Sequence, residues 1–130
     1  MKSKFLAIYE RFKTEAIFLQ LQYGTANLGW QPTSGAAYLF FRLLPGPAER
    51  VSLGVKHHRT IAVINIEIGV PLMSGEAQAL DYADSVAGWF RDTTISGIVC
   101  RSPEVIVIGQ DGEWHKTVVS VPVYWDETYT

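Results

Sequence analysis

The sequence predicts an α+β fold, a mainly antiparallel sheet with two helices packed on one face, in the order α-(β)-β-β-α-β-β. Three observations lead there. Two stretches have apolar residues at helical spacing, residues 57–70 carry a mostly apolar parity against a more mixed one over fourteen residues, and an Asp-Gly pair joins two β-rich runs near the end. Strands grouped apart from helices, without a regular βαβ rhythm, mark α+β rather than a parallel doubly wound sheet.

The first helix is predicted from about Ser3 to Glu15. Phe5, Ile8, Tyr9, Phe12 and Ala16 share one stripe, and Lys4, Glu10, Arg11 and Lys13 fall off it. Residues 17–23 alternate in their second half, with Leu19, Leu21 and Tyr23 against Gln20 and Gln22, and are read as a short strand or a continued helix, with strand preferred. Three glycines with Asn27, Pro32 and Ser34 make residues 24–35 a loop carrying Trp30. Residues 37–44 form a strand that Pro45-Gly46-Pro47 should stop, and residues 51–54 return as a short strand or loop edge.

Then comes the clearest strand. Thr60, Ala62, Ile64, Ile66, Ile68 and Val70 lie on one parity, with Arg59, Ile61, Val63, Asn65 and Glu67 on the other. It is about twice the usual strand length, so it should project beyond its own sheet or meet something outside it. Pro71 ends it. Ser74-Gly75 opens the second helix, with Glu76 in its first turn and Arg91 in its last, as the helix dipole favours. Its apolar face is Leu80, Ala83, Ala87 and Phe90 flanked by Ala79 and Val86, and its wet face is Asp81, Asp84, Ser85 and Gly88. Residues 104–108 and 114–125 complete the sheet as a hairpin joined through residues 109–112.

A chain of 130 residues with 48% apolar and 18% charged residues is read as one domain over residues 1–130, able to bury a real core. Its formal charge of −2, spread evenly, supplies no basic field for specific nucleic-acid recognition. No apolar run reaches membrane-span length, and Glu10 and Arg11 interrupt any signal peptide, so no membrane partner is expected. One cysteine, Cys100, rules out an internal disulfide and reads as a small buried hydrophobe.

No catalytic or cofactor set assembles. His57 and His58 are adjacent in a strand and point to opposite faces, and His115 is the only other imidazole. Cys100 has no flanking nucleophile signature, Asp81 and Asp84 are explained by a solvated helix face, and the glycines lack phosphate-loop spacing. No catalytic residue, cofactor or metal is therefore expected. Arg50, Lys56, His57, His58 and Arg59 form a local basic patch suited to a polar contact, and Trp89, at the edge of its helix stripe, suits an interface.

The segments Trp30-Gln31-Pro32, 38–46, Ser52-Leu53-Gly54, Ile68-Gly69-Val70-Pro71, 79–84 with Phe90, and Gly112-Glu113-Trp114 leading to 119–122 resemble the tail-terminator family of siphophages and prophages, proteins like the lambda-type minor tail protein U. The resemblance spans about residues 30–125 and consists of fold and packing patterns. It implies a non-enzymatic virion protein, made in the bacterial cytoplasm, that sits at the head-tail junction. There it would form a homo-hexameric ring on the tail tube, touching the tail-tube protein and a head-completion or connector protein. Residues 45–59, with Arg50, Lys56 and Arg59, would touch a neighbour or the tube. The alternatives are another head-tail completion or tail-tube ring protein and, from a different class, a small enzyme or ligand-binding domain using its histidines.

Overall fold

The computed structural model describes residues 2–25, 29–50, 56–73 and 76–129, and for residues 47–50, 56, 57, 76 and 127–129 only the backbone. Helix α1 spans Lys2–Leu19, one turn longer than the sequence suggested. Ile8, Phe12 and Ala16 on its stripe are fully buried. Its end is a Schellman motif: the Leu21 N–H donates to the Ala16 carbonyl at 3.3 Å and the Gln20 N–H to the Ile17 carbonyl at 3.0 Å. Gln20 takes the left-handed conformation there, φ 60°. That position is normally glycine, so nothing in the sequence announced it, and the strand preferred for residues 17–23 is corrected to helix followed by β1, Gln22–Thr25.

β1 runs parallel to β2, Tyr38–Arg50, and every other pairing in the sheet is antiparallel. The prolines do not stop β2. The ladder to β3, Lys56–Pro71, shifts register between Pro45 and Ala48 and continues to Arg50↔His58. β1 pairs only as far as Phe41, so among the described residues the stretch holding both prolines is an edge, and the register shift to β3 falls at these prolines. The segment read as strand or loop edge at residues 51–54 lies outside the described residues, as do Ser74 and Gly75.

β3 keeps the predicted parity: Thr60, Ala62, Ile64, Ile66, Ile68 and Val70 are all buried. It pairs along its full length with β7, Trp114–Tyr129. Helix α2, Glu76–Phe90, buries Ala79, Ala83, Val86, Ala87 and Phe90 as expected. Leu80, assigned to that face, is instead 46% exposed. Both helices share one continuous core with Leu39 and Phe41 of β2, the buried parity of β3, and Val119, Val121, Val123 and Trp125 of β7, so both lie on one face of the sheet.

Two short strands were not predicted. β4, Thr94–Ile95, turns through Ser96 and Gly97, both at positive φ (49° and 81°), into β5, Ile98–Cys100. That is the type I′ hairpin geometry. β6, Glu104–Asp111, then pairs with β7. The loop between them is only Gly112 and Glu113, while Gly109, φ 98°, sits at a register shift inside the ladder instead of in the turn. The sheet runs β1-β2-β3-β7-β5-β4, with β6 beside β7 at its other end.

Candidate functional site

The face of the sheet away from the helices carries a groove of about 420 Å³. Register builds it: Tyr38 lies opposite Gly69, Phe40 opposite Glu67, Gly69 opposite Lys116 and Glu67 opposite Val118. Trp30 folds over the first strand, where a Cβ on Gly24 would come within 2.3 Å of its ring. Tyr38 lies over Gly69 in the same way, and its ring meets Trp114 edge-on at 5.0 Å. Glycines let these large side chains lie flat on the backbone.

Tyr38, Glu67, Lys116 and Asp111 are linked to one another at the groove. The Tyr38 hydroxyl donates to Glu67 Oε2 at 2.7 Å, and Lys116 Nζ lies 2.8 Å from Asp111 Oδ2 and 3.9 Å from Glu67 Oε1. Burial, then the hydrogen bond to Glu67, raises the Tyr38 phenol well above its ordinary value. The bond to Asp111 holds the Lys116 ammonium charged. Both shifts lead away from neutral pH, the reverse of what a general acid or base requires.

The basic patch lies at the far end of the β2-β3-β7 ribbon. Thr60 and Trp125 are a buried pair, and the β3-β7 ladder runs on from Arg59↔Asp126 to Lys56↔Tyr129. Arg59 forms a two-pronged ion pair with Asp126, at 2.9 and 3.2 Å, and its guanidinium lies 4.4 Å from the centre of the Tyr124 ring. Its charge is met inside the chain. The backbone places Arg50 opposite His58, while the side chains of Arg50, Lys56 and His57 lie outside the described residues. Trp89 is 9% exposed and packs between Phe12 and Phe90.

The histidines do not converge. His58 sits opposite Glu127 and His115 opposite Val70, twelve positions apart along β3, roughly 40 Å at the rise of a strand. His115 lines a cavity of about 60 Å³ with Thr117, Ala79, Leu80 and Val107, with no other titratable side chain on its wall. Among the described residues no three His, Cys, Asp or Glu lie together as metal ligands, and no helix is long and apolar enough to cross a membrane.

Cys100 is buried, and burial pushes its thiol up from about 9 to about 11. A group whose folded pKa is raised stabilises the fold below its unfolded pKa, and that contribution is lost as pH rises through the folded value. Cys100→Val should therefore be less sensitive to alkali than the parent between about pH 9 and 11, by roughly 2 to 3 kcal/mol in urea unfolding. Equal losses in the two proteins would contradict a buried protonated thiol.

Several charged groups are paired within the chain, His115 Nδ1 and Thr117 Oγ1 are buried without a hydrogen-bond partner among the described residues, and apolar side chains stand exposed on β6 and at the end of α1. Residues 6–124 match the family described as "Phage tail terminator protein", and the chain belongs to that family. It is a structural protein of the phage tail. No curated protein matches the chain. Eighteen chains of solved structures match it, and one of them has a TM-score of 0.64 at 17% identity over 96% of this chain and 94% of its own. At that identity the likeness establishes the fold.

Proposed function

We propose that this chain caps the end of the tail tube as a hexameric ring, stopping polymerisation of the tube and offering the surface on which the head docks. The observation that carries the reading is the family match across residues 6–124, which takes in nearly the whole domain. Its partners are then copies of itself, the tail-tube protein and a head-completion or connector protein, at the head-tail junction, and its role is binding without chemistry. The long ribbon supports a reaching contact, since strands that run on beyond Thr60 and Trp125 carry the ladder toward a neighbour. Arg50, Lys56, His57, His58 and Arg59 at its end form the polar part of that contact.

Added to growing tail tubes, the protein should halt elongation at a fixed stoichiometry per tube end, seen as a narrowed length distribution in electron micrographs. Tubes that grow unchanged would contradict the reading. Arg50→Glu with Arg59→Glu should lower the mass of the assembled species in light scattering, and Asp126→Arg added to this pair should recover part of it by restoring the ion pair at Arg59. An unchanged mass in the double variant would remove the ribbon end from the interface.

A further inference from the structure

The sheet face that carries the groove lies opposite both helices, and register sets its side chains in rows across the strands. Arg42 lies opposite Asn65, Asn65 opposite Ser120 and Ser120 opposite Glu104, so one polar row crosses β2, β3, β7 and β6. Phe40, Glu67, Val118 and Ile106 form the next row in the same way. On the other side of the polar row, Leu44, Val63 and Pro122 form an apolar one. All three rows share one face, because Phe41, Ile64, Ile66, Val119 and Val121 between them point into the core.

Two of the rows have unlike ends. Arg42 is exposed, and its guanidinium lies 5.7 Å from the centre of the Phe40 ring. Glu104, also exposed, ends the same row on β6, roughly 14 Å away at the spacing of neighbouring strands. Among the described residues neither has an ion-pair partner. In the next row Phe40 lines the groove at the β2 end, while Ile106, 41% exposed, stands on β6 at the other. The apolar row is open too: Leu44 is 41% exposed, and Pro122 is exposed beside it.

A row that is positive at one end and negative at the other complements a second copy of itself turned round. Half a turn about an axis along the strands, midway between β3 and β7, sets the open face of one copy on that of another. It keeps every row at its own level and brings β6 of each copy over β2 of the other. Glu104 then meets Arg42, Ile106 comes over Phe40 at the groove, and Val63 meets Pro122, each pair occurring twice as a two-fold contact requires. Two sheets stacked face to face with nearly aligned strands are the ordinary sandwich packing.

We infer that the free protein pairs with a second copy through this open sheet face, by a two-fold contact. A ring repeats one contact in a single direction, whereas this one closes on two chains, so the pairing goes beyond the ring reading and is tested without tail tubes.

The test is the mass of the full-length chain in analytical ultracentrifugation, over roughly 1 μM to 1 mM. The parent should sediment as two chains toward the upper end of that range. Arg42→Glu and Glu104→Arg each set like charges together twice, and each should weaken the pair by roughly tenfold or more. Equal parts of the two single variants should pair again, because the mixed contact restores both meetings of opposite charge, and so should one chain carrying both changes. Both positions are exposed, so the thermal midpoints should stay with the parent. A parent that remains a single chain throughout, single variants that keep the parent's mass, or a mixture that stays apart would each overturn the pairing. Rings in free solution without any two-chain species would overturn it while supporting the ring. Failure to cap tubes would strike the ring reading and leave the pairing standing.

Discussion

Phe12→Ala should cost the fold about 3 to 5 kcal/mol, a large part of the stability of a domain this size. Phe12 is fully buried, and its ring lies 5.1 Å from Phe41, 5.9 Å from Tyr23, 6.0 Å from Tyr9 and 6.4 Å from Trp89. It is the contact through which α1, β1, β2 and α2 share one core. Truncation removes apolar burial and several ring contacts together, and the backbone on four sides limits how far the site can collapse. Phe18→Ala, one and a half turns further on, removes a ring that is 82% exposed and should change stability by no more than about 0.5 kcal/mol. Urea unfolding of the two variants compares them directly. A loss below about 1 kcal/mol for Phe12→Ala would mean that the helix is not anchored where the structure puts it.

Gly69→Ala should destabilise by about 1 to 3 kcal/mol, although it adds a single methyl group. A Cβ at this position would lie 2.0 Å from Tyr38 Cε1 and 2.4 Å from Cζ, far inside van der Waals contact. Tyr38 cannot easily yield, because its hydroxyl is bound to Glu67 and its ring rests edge-on against Trp114. The clash is with one side chain, so it has a specific signature. In a Tyr38→Ala background the same change at position 69 should cost close to nothing, which a double-mutant cycle in urea measures. Equal costs in both backgrounds would show that the glycine is needed for the strand itself.

The sequence reading succeeded where periodicity was long and unbroken. Fourteen alternating residues could only be a half-buried strand, and the stripes of α1 and α2 had a clear apolar side. It failed where one residue acted against its usual habit. Gln20 caps α1 in a glycine's conformation, so the helix outran its predicted end. Pro45 and Pro47 read as a stop, yet the ladder to β3 only shifts register across them and resumes at Ala48. The β4-β5 hairpin rests on the pair Ser96-Gly97, a turn signal with strands too short to show alternation.

The surfaces were less legible than the fold, because they depend on register. Trp30 was recognised on its loop and Trp114 at the start of a strand, but only the ladders bring Trp30, Tyr38, Glu67, Trp114 and Lys116 around one groove. The basic patch was visible as a cluster of residues, whereas the partner of Arg59, Asp126, is 67 residues away in the chain. The four consecutive β-branched residues of β6 signal a strand, whereas their exposure on both faces depends on what the fold leaves uncovered.

The central claim is a closed ring of this chain at the end of a tail tube, and averaged electron-microscopy images of tube ends formed with the protein test it most directly. Six copies in one ring at a single end of each tube is the result predicted. Protein spread along the tube wall, or tube ends without added density, would contradict it.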